Sequence, residues 1–342
     1  MKPASYLYLI TRVHGLSTHL FSDDDIRGFA RARDLNAFVE AVSKGDYAEK
    51  IGLLSRETIN ARNLNRVFSE IYVDRLLYIL KVAPQSVDKF LDAYTRKVEV
   101  ENLKRILGAK FYGLELSMDD LIQLPRTYSV INYQAMLEAE SVDDAVTLLM
   151  YSVYRGVGNY IQVSREYNST IPMEAFLDKV YYRNVYKFLS GIPDEDVVRS
   201  ILGVEVDLRN LYFVISYKLL DAPQNLIEES VIRPFYRLGE EYINGFIRAG
   251  KDAILDSFLA SPYGWASDKI APAIEAGSIA DLEHGIHSVY IGFLREMATR
   301  NALGLGYIMW YLNAIYYEYR NLTSIAFAKE LGVEEEDIKL IL

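Results

Sequence analysis

The chain has 342 residues, of which 51% are hydrophobic and 25% are charged, and its formal net charge at pH 7 is −10. This length exceeds the roughly 100–200 residues of a usual domain and therefore indicates more than one domain. The composition is that of a folded globular protein. The absence of cysteine excludes disulfides, thiolate zinc sites and cysteine nucleophiles, and an acidic balance without a basic block argues against nucleic acid as a partner.

The N-terminal part of the chain shows the first helical patterns. Residues 1–13 contain a short apolar run broken by Thr11 and Arg12, without a cleavage site of small residues, so we expect no secretory signal. Ser22 precedes acidic residues in the pattern of a helix N-cap. Apolar residues at spacings of three and four then predict an amphipathic helix over residues 67–80.

Helical patterns continue through the rest of the chain. Residues 175–189 repeat the same spacing, and residues 211–216, which resemble a strand in isolation, belong to a helical motif described below. Residues 301–317 form an uncharged stretch of 17, which is shorter and more polar than the roughly 20 apolar residues of a bilayer span. We therefore predict an all-α, cytoplasmic protein with no transmembrane span, in which this stretch is a buried helix.

A helical motif occurs three times along the chain. It has an acidic residue, an asparagine three positions later and a lysine eleven positions after the acid, with apolar residues between them. The copies are Glu99, Asn102 and Lys110; Asp207, Asn210 and Lys218; and Glu318, Asn321 and Lys329. The asparagines are separated by 108 and 111 residues, about a third of the length. The repeat predicts three similar multihelical domains, at residues 1–113, 114–223 and 224–342.

Other positions follow the same repeat. Arg75 has a counterpart in Arg183, 108 residues later. Gly113 and Gly332 each follow a motif in the position of a helix stop. The final acidic run, residues 336–338, resembles the start of a fourth unit that is cut short.

The geometry of the motif leaves two interpretations. At 3.6 residues per turn, the acid, the asparagine and the lysine share one stripe of about 100° with the apolar residues. A polar group buried in such a stripe without a partner costs about 1–3 kcal/mol. The stripes therefore either form internal hydrogen-bond networks or line a shared concave surface that binds a partner.

With this motif, its length and the tyrosine-rich opening at residues 6–14, the chain resembles the C subunit of the archaeal and bacterial V/A-type rotary ATPases. That protein is a relative of the d subunit of the eukaryotic enzymes. The resemblance covers essentially the whole chain and rests on the triple repetition more than on any single motif. The family opening usually has Ala-Arg-Val-Arg, whereas this chain has Thr11, Arg12, Val13 and His14. No role is carried over for the second arginine.

The resemblance implies a funnel of three similar domains with pseudo-threefold symmetry. Such a subunit is monomeric within its complex and lies on the cytoplasmic face of the membrane, against the proteolipid ring. It receives the foot of the central axle and couples ion transport to ATP synthesis or hydrolysis as a non-catalytic rotor subunit, without cofactors. The alternatives are a helical-repeat scaffold of an unrelated complex and an all-α enzyme, which would need convergent acids, bases or a metal.

Three local patterns do not support a cofactor or metal. His284 and His287 have helical metal-ligand spacing, but without a third ligand they are expected to be an exposed or interface pair. Residues 156–158, Gly-Val-Gly, lack the preceding strand and the third glycine of a dinucleotide-binding loop. The chain also lacks a P-loop sequence, so no nucleotide site of that type is predicted.

Overall fold

The computed structural model describes residues 4–342, and every regular element in this range is an α-helix or a short 3₁₀-helix, with no strand. The all-α prediction is confirmed. Residues 1–3, which belong to the opening considered above as a signal, lie outside the described residues.

The α-helices fall into three groups along the chain. The first group is α1 (Ala4–Ser17), α2 (Asp23–Ala30), α3 (Leu35–Val42), α4 (Asp46–Ile51), α5 (Ala61–Val82), α6 (Asp88–Thr95) and α7 (Lys97–Tyr112). The second is α8 (Tyr133–Glu138), α9 (Val142–Thr147), α10 (Ile161–Glu166), α11 (Ile171–Val185) and α12 (Glu195–Leu219). The third is α13 (Gln224–Ser230), α14 (Glu240–Arg248), α15 (Ile254–Leu259), α16 (Ser267–Ala276), α17 (Ile279–Arg300) and α18 (Leu305–Leu331). The 3₁₀-helices are Arg56–Thr58, Met118–Asp120, Arg155–Tyr160, Tyr186–Phe188, Lys251–Ala253, Gly264–Ala266 and Glu335–Asp337.

The helices predicted from apolar spacing are present. Residues 67–80 lie within α5, and residues 175–189 cover most of α11 and the 3₁₀ turn after it. The strand-like residues 211–216 are helical because they lie inside α12, where tertiary packing decides the conformation. Most of the uncharged stretch lies in α18. Among the described residues, no helix combines the length and the hydropathy that crossing a bilayer requires.

Local sequence fixes several helix ends. The Ser22 hydroxyl accepts a hydrogen bond from the Asp25 amide, and the Asp25 carboxylate accepts one from the Ser22 amide, which is a complete capping box. Gly113 and Gly332 follow α7 and α18 with the same φ of +68°, a region that glycine adopts at little cost. Both predicted helix stops are therefore confirmed.

The three motif helices, α7, α12 and α18, pack against long partner helices. The partner of α7 is α11, which follows it in the chain, and the partner of α12 is α17. Helix α18 packs on α17 and also on α5, near the opposite end of the chain. The buried apolar residues of all these helices form one contiguous core. The positions of the motif helices are thus fixed from both sides by apolar packing.

Candidate functional site

Each motif asparagine makes the same pair of hydrogen bonds. Its side-chain NH₂ donates to the carbonyl of an isoleucine 20–22 residues later, and its side-chain oxygen accepts from the amide of that isoleucine. The pairs are Asn102 with Ile122, Asn210 with Ile232 and Asn321 with Ile341, with donor–acceptor distances of 2.7–3.0 Å. All three asparagines are 3% exposed or less. We call these contacts the asparagine clamps.

The clamps provide hydrogen-bond partners for the amide and the carbonyl of each isoleucine, which have no partner within a helix. Each clamped isoleucine lies after the motif helix in non-helical chain, and its side chain is buried. Removing the amide would leave a buried N–H and a buried C=O without partners, at a cost of about 1–3 kcal/mol. The final residues, which resemble the start of a fourth unit, contain Ile341 and so form the third clamp.

Each motif acid accepts a hydrogen bond from a buried tyrosine. The tyrosine hydroxyls lie 3.3, 2.8 and 2.7 Å from the carboxylates in the pairs Tyr154–Glu99, Tyr263–Asp207 and Tyr47–Glu318. Burial raises the pKa of all three carboxyl groups above its usual value. The tyrosines are spaced by 107 and 109 residues, so they follow the same repeat as the motif. These tyrosines were not predicted, although the sequence contains this spacing.

The remaining partners of the three acids differ. Arg96 lies 3.5 Å from Glu99. Asp207 accepts hydrogen bonds from three successive backbone amides, at residues 236–238. Glu318 receives the guanidinium of Arg75 at 2.6 Å and the amide of Phe21 at 2.6 Å. The repeat therefore preserves the position of the acid but not the way in which its charge is balanced.

Two of the motif lysines cap short helices. The Lys110 ammonium donates to the carbonyls of Leu137 and Ala139, both at 2.6 Å, at the end of α8. Lys218 donates in the same way to Ile247 and to Ala249 at the end of α14. An ammonium group at this position satisfies free carbonyls and balances the helix dipole. Within residues 4–342, Lys329 makes no hydrogen bond of this kind.

Charged and polar side chains next to the motif residues join the three motif helices. We call this group the central cluster: Lys97, Glu101 and Lys104 of α7, Glu205 and Arg209 of α12, Tyr316 and Arg320 of α18, Asp178 of α11, and Glu283 and His287 of α17. The Lys97 ammonium lies 2.6 Å from Glu205, which links α7 to α12. The Tyr316 hydroxyl donates to Glu101 at 3.1 Å, which links α18 to α7.

A third set of contacts continues the central cluster onto the partner helices. Asp178 binds the Lys104 ammonium at 2.7 Å and the Arg209 guanidinium at 3.1 Å. Burial disfavours the charge of Glu101, but the surrounding cations, Lys104 first and then Arg209, outweigh it and lower the pKa of that carboxyl to about 2. The central cluster is therefore a set of mutually compensating charges.

The structure buries one of the two histidines that the sequence predicted to be an exposed or interface pair. His287 is 6% exposed, and its Nε2 lies 3.1 Å from a guanidinium nitrogen of Arg320. Burial, followed by the charge of Arg320, lowers the pKa of His287 to about 4. A neutral ring accepts from Arg320 through Nε2 and donates through Nδ1 to the Tyr317 hydroxyl at 2.9 Å. The exposed alternative is wrong for His287 because α18 covers it.

The clamps and the central cluster hold segments of this chain together through hydrogen bonds and ion pairs. The asparagines, the acids and two of the three lysines bind backbone or side chains of this same chain, and the cluster pairs opposite charges across helices. Among the described residues, no group of three histidines or carboxylates has a geometry that could hold a metal ion. The arrangement adds polar links to the apolar packing between these helices.

Comparison with known proteins identifies relatives over the whole chain. A family model described as ATP synthase (C/AC39) subunit matches residues 9–340. The C subunit of the A-type ATP synthase of Methanocaldococcus jannaschii is 22% identical, over 99% of this chain and 86% of the relative. The protein of the same name from Pyrococcus horikoshii is 22% identical over 100% and 91%. That from Halorubrum lacusprofundi is 24% identical over 97% and 95%.

Substituting the clamp asparagines tests the structural interpretation of the motif. We expect Asn102→Leu, Asn210→Leu and Asn321→Leu each to lower the free energy of unfolding by about 1–3 kcal/mol, because each leaves two buried backbone groups unpaired. The three losses should be nearly additive, since the clamps share no partner. Urea titrations followed by circular dichroism measure them, with the exposed Asn159→Leu as the control. Unchanged stability together with weakened binding of a partner protein would favour the concave-surface interpretation.

The buried histidine predicts a pH dependence. Because the pKa of His287 falls from 6.5 to about 4 on folding, the unfolded chain takes up a proton at a higher pH than the folded chain. The stability linked to the neutral ring is complete above pH 6.5 and is lost as the pH falls to about 4, by about 3 kcal/mol. His287→Gln should remove this part of the pH dependence in thermal melts between pH 7 and 4. The exposed His19→Gln should retain it, and identical profiles for both variants would contradict the assignment.

Proposed function

The chain belongs to the ATP synthase (C/AC39) subunit family, and we propose that it is the rotor subunit that joins the membrane proteolipid ring of a V/A-type rotary ATPase to the central axle. The relatives are the C subunits of A-type ATP synthases, which are structural and not catalytic subunits. The coupling role follows from this position: rotation of the ring turns the axle, or the reverse, only if the adaptor between them transmits torque.

The observation that carries the proposal is the central cluster. A subunit that transmits torque must resist sliding and twisting of its helices against one another. Separating Lys97 from Glu205, or either cation from Asp178, would leave a charge in the protein interior without a partner, which is far more costly than shifting one apolar contact. Such links stiffen the junction of the motif helices α7, α12 and α18.

We propose further that the chain is organised as three similar units around this junction, in a funnel. The sequence divides them at residues 1–113, 114–223 and 224–342. The three asparagine clamps and the three tyrosine–acid pairs support the three-unit organisation, because equivalent contacts recur at equivalent positions. In this arrangement one end of the funnel lies against the proteolipid ring, and the other receives the axle.

The same proposal gives the location of the protein. It is peripheral on the cytoplasmic face of the membrane and held there by the rotary ATPase, as one copy in each complex. The two other functions considered above have no comparable support. An unrelated helical scaffold would not account for a family match over residues 9–340, and the motif residues bind within the chain itself.

Reconstitution with and without this chain tests the coupling role. We expect vesicles containing the membrane sector and the ATPase head, but lacking this protein, to hydrolyse ATP without moving ions. The reason is that the axle then turns without a connection to the ring. Parallel assays of phosphate release and of an ion gradient measure the two activities, and adding back the wild-type chain should restore transport. Undiminished ion transport in the vesicles that lack it would rule out the adaptor role.

A further inference from the structure

The tyrosine–acid pairs show how the two ends of the chain meet. Glu99 and Asp207 take their tyrosines from residues 55 and 56 positions later, Tyr154 and Tyr263. The third acid, Glu318, does not follow this pattern. Its partner is Tyr47, which lies 271 positions earlier.

Helix packing follows the same rule. The helices α11 and α17 follow their motif helices in the chain, whereas the corresponding partner of α18 is α5. Two side chains of α18, Tyr319 and Thr323, donate hydrogen bonds to the side-chain oxygen of Asn65 at 3.1 and 3.0 Å. Near the end of α18, Glu330 accepts the amide of Ala61 at 3.0 Å. The N-terminal segment therefore provides the tyrosine and the partner helix of α18, whereas α7 and α12 take theirs from the chain that follows them.

This junction also contains a buried ion pair. Arg75 and Glu318 are 6% and 5% exposed, and their closest nitrogen and oxygen are 2.6 Å apart. Arg75 also contacts Asp46 at 3.1 Å. Arg183, which the sequence aligned with Arg75, is exposed, and within residues 4–342 neither Glu99 nor Asp207 has an arginine partner from α11 or α17. A buried ion pair at a junction between distant segments specifies which surfaces meet, since mispaired charges would be costly.

We infer that the protein is a ring of units closed at one non-covalent seam, between α18 and residues 4–82, and that Glu318, Arg75 and Tyr47 form the latch at which it opens first. The inference rests on the three-unit arrangement proposed above. At each of the other two boundaries between units, the chain itself runs on from the motif helix to its partner helix. At the seam no such connection exists, so α1–α5 can separate from α18 as one body. This separation also breaks the contacts Tyr6–Asp194 and Asp23–Arg295, while α7 and α12 remain packed on α11 and α17. Conformational change in this protein is concentrated there.

Three matched substitutions test the seam. Tyr47→Phe, Tyr154→Phe and Tyr263→Phe each remove one hydroxyl that donates to a motif acid. Hydrogen exchange measured by mass spectrometry on the full chain reports opening along the sequence. We expect Tyr47→Phe to accelerate exchange about fivefold throughout both α1–α5 and α18, the equivalent of about 1 kcal/mol for one lost hydrogen bond. Tyr154→Phe and Tyr263→Phe should accelerate exchange only near the substituted residue.

Substituting the latch arginine gives a stronger perturbation with its own control. Arg75→Met should accelerate exchange in α1–α5 and α18 by more than Tyr47→Phe, while α12 keeps the exchange rates of the wild type. The exposed Arg183→Met should have no effect. Three outcomes would overturn the seam: local effects of all three tyrosine variants, wild-type exchange in α1–α5 as slow as in α12, or a loss of protection in Arg75→Met that extends equally to α12 and α17. This last outcome includes global unfolding of Arg75→Met.

Discussion

Charged side chains can be buried where helices meet only if every charge finds a partner, and much of this structure follows from that constraint. The motif helices α7, α12 and α18 carry lysines, arginines and carboxylates on faces that also contain core residues. Each of these charges must therefore lie next to an opposite charge on another helix. Lys97 pairs with Glu205, and Asp178 pairs with Lys104 and Arg209. Apolar packing alone would tolerate shifts of a helix, whereas such pairs define one register and orientation.

The same constraint connects stiffness with the seam. At two of the three proposed boundaries between units, buried polar contacts and the continuous chain both hold the neighbouring helices together. At the third, the ends of the chain meet through Glu318, Arg75 and Tyr47, so the polar contacts must supply the specificity that covalent connection supplies elsewhere. The paired charges join the helices at the centre, and the inferred seam is the place at which the protein opens. In the rotor role proposed above, the first property would serve the transmission of torque and the second the assembly of the subunit between two partners.

The sequence predicted the helices and the motif because both depend on local spacing. Apolar periodicity located α5 and α11, the uncharged stretch located α18, and the repeated Asn102, Asn210 and Asn321 identified buried positions that each make the same contact. The partners of the motif were not predictable in this way. An asparagine on the apolar face of a helix must have a hydrogen-bond partner, but the sequence does not say which residue it is. The division of the chain into equal thirds likewise gives no indication that Tyr47 completes a contact of Glu318.

The burial of His287 and the central cluster depend on how helices distant in sequence come together. The histidine pair has the spacing of metal ligands on a helix, which gives no information about burial. Only the position of α18, with Arg320 and Tyr317, shows that the ring of His287 is covered. A repeat alignment is equally uninformative about the cluster, because the residues two positions after the motif acids are Glu101, Arg209 and Arg320, which differ in charge. Their complementarity appears only when the three helices lie side by side.

The most direct test of this account is a double-mutant cycle on the Lys97–Glu205 pair. Unfolding free energies of the wild type, Lys97→Met, Glu205→Gln and the double variant give the coupling energy. The account predicts about 1–3 kcal/mol, because each single change leaves the other charge buried without its partner. The exposed pair Lys251–Asp221, treated in the same way, should give less than about 0.5 kcal/mol. Strictly additive effects at Lys97 and Glu205 would contradict the claim that buried charge pairs hold the motif helices together.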